Sequence, residues 1–279
     1  MILSGKEVAK DLTENLIKEV EALKVKPTLA ILRVGSNPSD IAYENSAIKK
    51  AETIGINIKQ VLLDEKITQK ELINSIDALN ADESVHGVLM FRPLPKHLDE
   101  KEACNRLNPK KDVDGITEGS MAGIYSGDNK GYAPCTAQAA IEILKYYNIP
   151  MSGKKAVVVG RSLVIGKPAI MLLMAENSTV TVCHSKTSEA DKVKALKDAD
   201  IIIVATGRMN TIDDKHITVN STIIDVGINF DENGKMCGDA NFEKIADKVK
   251  AITPVPGGVG AVTTTILMKH VVDACKNVK

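Results

Sequence analysis

The stretch from Lys155 to Pro168 constrains the fold more than any other part of the chain. Val157, Val158 and Val159 in a row suit a parallel strand covered on both faces. Gly160 allows a sharp turn, and Gly166 allows close approach at a helix start. Pro168 fits a first helical turn, where its missing N–H costs nothing. A helix N-terminus behind a glycine turn offers N–H groups and a positive dipole end to a phosphate. The spacing is G-x5-G, not the G-x-G-x-x-G dinucleotide fingerprint. Taken alone it fits a structural turn as well as a phosphate site.

The same strand–helix alternation runs through the rest of the chain. Ser4 to Leu23 has helical spacing, with Val8, Leu12, Leu16, Val20 and Leu23 on one face. Pro27 to Gly35 reads as a strand, Ser36 to Asp40 as a polar turn, and Ile41 to Ile54 as a helix stopped by Gly55. Ile56 to Leu63 is strand-like, and Thr68 to Asn80 is a helix with Thr68 as N-cap and Glu71 as its box partner. Gly87 to Phe91 is an apolar strand running into Arg92, Pro93, Leu94 and Pro95. Asn108 to Thr117 and a glycine-rich loop around Ser126 to Gly131 follow, then a helix over Ala137 to Tyr147 near an expected domain junction. Beyond Gly153 the expected strands are Ala156–Val159, Thr179–Cys183, Ile201–Ala205, Thr222–Val226 and Ala251–Thr253, with a closing helix over Thr263–Asn277. This pattern predicts an α/β fold with parallel sheets.

Composition narrows the partners. Lys+Arg and Asp+Glu both number 36, so no global field attracts nucleic acid or a membrane, and any anion must be held locally. Trp is absent and Phe numbers three, which argues against base-stacking platforms. Cys104, Cys135, Cys183, Cys237 and Cys275 are scattered without a C-x-x-C pair and read as reduced thiols, not as a metal site. No signal peptide and no membrane-length apolar run is evident, so the chain is read as cytoplasmic.

The second strand of the later unit sharpens the ligand. An NAD site usually carries an acid there for the ribose 2′-OH. Here His184, Ser185, Lys186 and Thr187 occupy the place, with Arg161 in the glycine loop. Hydroxyls and cations suit a 2′-phosphate and hence NADP; the alternative is a solvated polar turn, in which His184 is an ordinary turn residue. Thr206-Gly207 and Gly227-Ile228 also follow strand ends, where ligands of parallel sheets collect. Pro256, Gly257, Gly258 and Gly260 require backbone to pass close to a ligand or a neighbouring chain segment.

Together Lys111–Gly115, Pro134–Thr136, Val157–Ser162, His184–Thr187 and Thr253–Gly260, with Tyr43 and Gly55, resemble the methylenetetrahydrofolate dehydrogenase/cyclohydrolase family over nearly the whole chain. The resemblance implies an N-terminal folate domain (residues 1–137 and 264–279), a Rossmann-type NADP domain (138–263), a cleft between them, and a homodimer. It implies that Gly160, Arg161, Ser162, Ser185, Thr206 and Ile228 contact NADP. It further implies that Tyr43, Phe91, Arg92, Pro93, Asp114, Pro256, Gly257, Gly258 and Gly260 meet a tetrahydrofolate derivative. Tyr43 and Asp114 carry the catalytic expectation: the phenol ring stacks on folate and the carboxylate accepts an amidine-like N–H pair from the pterin. On the residues alone, Asp114 reads as a turn carboxylate capping backbone before Gly115.

Two positions depart from the family pattern. The lysine expected four residues after the tyrosine is Ala47, and the expected strand-end glutamine is Phe91, with Arg92 in place of a leucine. Hydride transfer needs alignment of two rings, whereas ring opening by water needs proton transfers suited to a tuned lysine. The expectation is therefore dehydrogenase activity with weak or absent cyclohydrolase. Lys50, seven residues after Tyr43, and Arg92 are the available substitutes for a bifunctional enzyme. A non-catalytic folate or nucleotide binder, and an unrelated NADP dehydrogenase acting on a small acid, are the alternatives.

Overall fold

The computed structural model describes residues 1–128 and 130–277; Asn129 of the glycine-rich loop, Val278 and Lys279 lie outside the described residues. The chain divides into two compact units, Asp11–Cys135 with Thr264–Lys279, and Met1–Lys10 with Thr136–Thr263. In chain order the elements of the first half are α1 (Gly5–Glu21), β1 (Thr28–Val34), α2 (Pro38–Ile54), β2 (Asn57–Leu63), α3 (Gln69–Ala81), β3 (Gly87–Met90), α4 (Glu100–Arg106), α5 (Glu118–Ser126) and α6 (Cys135–Tyr146). The second half comprises β4 (Lys155–Val159), α7 (Gly166–Ala175), β5 (Thr179–Cys183), α8 (Glu189–Lys197), β6 (Ile201–Val204), β7 (Thr222–Asp225), β8 (Asn229–Phe230), β9 (Met236–Cys237), α9 (Phe242–Ile245), β10 (Ala251–Ile252) and α10 (Val259–Asn277).

The unit built on Asp11–Cys135 holds a parallel sheet in the order β2-β1-β3, with Leu29 paired to Ile58 on one side and to Gly87 on the other. β1 is central and buried along almost its full length, with Leu29–Leu32 as its apolar run and Arg33 buried against Glu44. Leu32, Leu72, Ile76, Val88 and Met90 form the core beneath it. α2 starts three residues before the expected Ile41, because the Asn37 side chain accepts from the Ser39 N–H and Pro38 occupies the first turn. α3 carries the expected box, with Thr68 and Glu71 bonding reciprocally. α4 and α5 were not expected from periodicity; Asp99 and Thr117 cap them.

The other unit is a parallel sheet in the order β10-β7-β6-β4-β5. The strand order reverses at β4, with β5 on one side and β6 on the other. Val157, Val159, Ile202, Val204 and Ile223 pack in its core. The first ten residues, expected with the folate domain, cluster with this sheet instead. The physical reason is edge pairing: Leu3 N–H donates to Ile252 O at 2.8 Å, Ile252 N–H to Met1 O at 3.0 Å, and Gly5 N–H to Gly257 O at 2.9 Å. A β8–β9 hairpin, unmarked in the sequence reading, follows β7.

Candidate active site

In the sheet β2-β1-β3, Tyr43 lies on the helix that follows β1, and Phe91 comes directly after β3. The Phe91 N–H still bonds Leu32 O at 3.0 Å, so the strand ladder fixes its backbone. Its ring meets Tyr43 edge to face, with centroids 5.9 Å apart. Burial, reinforced by the neighbouring Cys135 and Asp114, pushes the Tyr43 phenol well above its usual range, against a hydrogen bond with Thr264. The phenol is therefore neutral at any physiological pH. Arg92 is half-buried, hydrogen-bonded to the Cys104 thiol and close enough to Asp114 to favour its charged form. Pro93, next to it, is exposed.

Asp112 and Asp114 are held differently. Asp112 is fully buried and accepts from Ile116 N–H (3.0 Å), Thr117 N–H (2.8 Å) and Ser120 Oγ (2.6 Å). It is the turn cap. Asp114 is half-buried and meets Cys135 through both thiol and backbone. Burial pushes its carboxyl up to about 6, and the Cys135 hydrogen bonds and Arg92 only partly offset this. Burial and Asp114 hold the Cys135 thiol well above its ordinary range, so it stays protonated. Behind it, His270 Nδ1 lies 2.9 Å from Val113 O, and burial brings the imidazole down to about 4. A neutral ring donating to that carbonyl satisfies both observations.

Ala47 sits one turn beyond Tyr43 and is fully buried. Glu44, beside Tyr43, is also buried; it pairs with Arg33 at 2.7 Å and accepts from Gln60 Nε2 at 2.6 Å, tying α2 to β1 and β2. Lys50 Nζ reaches Thr13 Oγ1 on α1 at 3.3 Å, and burial lowers its pKa. The ammonium is thus held by a threonine hydroxyl of another helix.

In the sheet β10-β7-β6-β4-β5, the expected cofactor residues follow the carboxyl ends of four strands: Gly160–Ser162 after β4, Ser185 after β5, Thr206 after β6 and Ile228 after β7. Gly160 has φ +138°, a conformation that favours glycine, and a side chain there would strike the Ala205 carbonyl. A Cβ on Gly166 would lie 2.6 Å from Arg161 N, so the approach at this helix start is by the chain's own backbone. The helix end is also less open than its sequence suggested. Ser162 Oγ accepts from Ile165 N–H (3.1 Å) and Gly166 N–H (3.4 Å).

Arg161, Ser162, Ser185, Lys186 and Ile228 are exposed. The nearest acid after β5, Glu189, is occupied by Lys192, Lys215 and His216. Cations and hydroxyls without a competing carboxylate fit a ribose 2′-phosphate. His184 is a turn residue: its Nδ1 accepts from Lys186 N–H at 3.2 Å.

Thr206 is turned inward. Its hydroxyl donates to Asp239 at 2.9 Å and lies 2.9 Å from Thr211 Oγ1. The close approach expected around Gly257 and Gly258 is met by Gly5, whose Cβ would clash with Gly258. Pro256 and Gly260 are exposed. Asp225, Asp239, Cys135, Thr264 and His270 were missed as site-shaping residues. Two of them carried a signal: Asp225 as an acid closing an apolar strand before a glycine, and Cys135 as part of the Pro134–Thr136 stretch.

Comparison with known proteins agrees with this geometry. The description "Tetrahydrofolate dehydrogenase/cyclohydrolase, catalytic domain" matches residues 3–114, and "Tetrahydrofolate dehydrogenase/cyclohydrolase, NAD(P)-binding domain" matches residues 134–279. The chain is similar to "Bifunctional protein FolD 1" of Desulfitobacterium hafniense (strain Y51), 48% identical over 99% of each chain. The bifunctional FolD methylenetetrahydrofolate dehydrogenase/cyclohydrolase structure from Campylobacter jejuni has a TM-score of 0.95 at 37% identity, covering 99% of each chain. The Trypanosoma brucei enzyme, solved with NADP cofactor and inhibitor, has a TM-score of 0.90 at 30% identity, covering 99% of this chain and 97% of that one.

Proposed function

The chain belongs to the tetrahydrofolate dehydrogenase/cyclohydrolase family, and on that premise we propose that it is an NADP-dependent 5,10-methylenetetrahydrofolate dehydrogenase of one-carbon metabolism with weak or absent methenyltetrahydrofolate cyclohydrolase activity. Bound NADP+ would accept a hydride from the one-carbon bridge and leave a methenyl cation. The chain's task in that step is to hold and align. Asp114 accepts the pterin's N–H pair, Tyr43 packs on the ring, and Phe91, Arg92, Pro93, Pro256, Gly257, Gly258 and Gly260 complete the substrate surface. Gly160, Arg161, Ser162, Ser185 and Ile228 bind the nucleotide, with Arg161 and Ser185 on its 2′-phosphate.

The observation that carries the weak hydrolysis is the pair at 47 and 91. A fully buried methyl group follows Tyr43 by one turn, and a hydrocarbon ring, not an amide, packs against the Tyr43 ring. Neither moves a proton, and loss of a general acid–base group typically costs about 10²–10⁴-fold in rate.

A second reading, full bifunctionality, is favoured by the names of the relatives, which are called bifunctional. Lys50 is then the chemically suited group, because burial lowers its pKa. It would have to exchange Thr13 for the substrate.

Two spectrophotometric assays on purified protein separate the readings: NADP+-dependent methenyl formation, and methenyl hydrolysis without cofactor. Activity in the first alone supports the proposal; comparable rates in both support the second reading; activity in neither leaves a binder. Homodimer formation belongs to the same proposal, supported by the exposed Thr179, Thr181 and Val182 of edge strand β5 and checked by light scattering.

A further inference from the structure

We propose that Asp239 is a positioning residue for nucleotide binding, setting the loops that follow β6 and β7 by gathering their donors onto one buried carboxylate. The proposal rests on the NADP reading above. Asp239 is fully buried. Its Oδ2 accepts from the Thr206 N–H (2.5 Å), the Gly207 N–H (3.0 Å) and the Thr206 hydroxyl (2.9 Å). Its Oδ1 accepts from the Arg208 N–H and from Asn229 Nδ2, both at 2.9 Å. These donors saturate a carboxylate, which offers about four lone-pair sites.

Three successive backbone amides converging on an anion form the kind of concavity that elsewhere binds phosphate. Here the chain supplies the anion itself. The amides of Thr206, Gly207 and Arg208 are therefore spent internally, and the loop serves as a fixed wall instead of a phosphate cradle. This also accounts for Thr206, whose hydroxyl points to Asp239 and away from the role expected for it.

The wall bears on the glycine turn. Ala205, directly before Thr206, donates its N–H to Val159 O at 2.9 Å, and its carbonyl occupies the space where a side chain on Gly160 would go. A shift of Thr206–Arg208 is thereby transmitted to Gly160, at the point where the strand order reverses and a nucleotide is expected. On the other side Asn229 bonds Asp239 one residue after Ile228. Asp225 holds Asp239 from behind, accepting from the N–H groups of Gly227 (3.0 Å), Asp239 (3.0 Å) and Ala240 (2.8 Å). One carboxylate thus couples the ends of β4, β6 and β7.

The test compares wild type with Asp239→Asn, which keeps the shape but turns an NH2 group toward donors. Isothermal titration with NADP+ and steady-state kinetics in both substrates are the readouts. The expected result is a Kd and KM for NADP+ raised tenfold or more, with the KM for methylenetetrahydrofolate within twofold of wild type. A folded Asp239→Asn protein that binds NADP+ as wild type does would overturn the proposal, because a role in folding alone moves stability and not this split. Should Asp239→Asn fail to fold, Asn229→Ala, which removes one of the donors, decides. A threefold or greater rise in Kd supports the proposal and an unchanged Kd overturns it. A wild-type chain that binds no NADP+ would overturn the cofactor assignment first, and this proposal with it.

Discussion

Tyr43 and Phe91 meet edge to face, their ring planes at 81°. Such aromatic pairs contribute about 0.5–1.5 kcal/mol beyond their area burial. The resemblance leads one to expect a glutamine at position 91, and here a hydrocarbon ring stands against Tyr43. Together with the buried methyl of Ala47, it lines this corner with apolar groups, whose effect on water attack variants at positions 47 and 91 test.

Placing the lysine and glutamine that the family resemblance leads one to expect at positions 47 and 91 should raise hydrolysis. Ala47→Lys with Phe91→Gln is expected to hydrolyse methenyltetrahydrofolate at least about 10-fold faster than wild type. Ala47→Lys alone places a charge at a fully buried position and is expected to lower the thermal unfolding midpoint. Hydrolysis rates and melting curves of the single and double variants check both expectations.

Asp114 should trade stability for binding. Its carboxyl moves from an ordinary 3.8 to about 6 on folding. Between those values the folded chain binds the extra proton, so this contribution to stability falls as pH rises from about 4 to 6 and stays lost above it. Asp114→Asn is expected to be more stable than wild type at pH 7.5 by about 1–3 kcal/mol, a gap that closes toward pH 4. The same variant should lose most dehydrogenase activity. In wild type the folate KM should rise as pH falls below about 6, where the carboxylate takes up its proton. Denaturant melts and a pH series of KM measure both.

Asp112→Ala should behave in the opposite way. It strands two buried amides and the Ser120 hydroxyl, and a loss of roughly 3 kcal/mol or more is expected by urea unfolding.

Cofactor choice should reside at Arg161 and Ser185. Arg161→Ala with Ser185→Asp is expected to lower kcat/KM for NADP+ by at least about 10-fold while leaving NAD+ use unchanged or improved, since a charge-assisted phosphate contact is replaced by repulsion. Better use of NAD+ by wild type would contradict this assignment.

Much of this architecture was readable in the sequence because the physics was local. Val157–Val159 suited a covered strand, Gly55 stops α2 at φ +91°, and the Thr68–Glu71 box opens α3 where spacing placed it. α5 escaped because its sequence contains Gly119 and Gly123, which argue against a helix until Thr117 caps it. The turn at Gly160 was legible because a strand-ending glycine marks it, and its φ of +138° meets that expectation. The candidate site was not legible where partners are distant: Asp239 meets Thr206 across 33 residues, and His270 meets Val113 across 157. Sequence could not tell which of Asp112 and Asp114 caps the turn, because that depends on where α5 begins.

The central claim is most directly tested by measuring, on one wild-type preparation, the rate of NADP+-dependent methenyltetrahydrofolate formation and the rate of methenyltetrahydrofolate hydrolysis without nucleotide. The account predicts that hydrolysis is slower than oxidation by about 10²-fold or more, the typical cost of a missing acid–base group. Hydrolysis at a rate comparable to oxidation would contradict it.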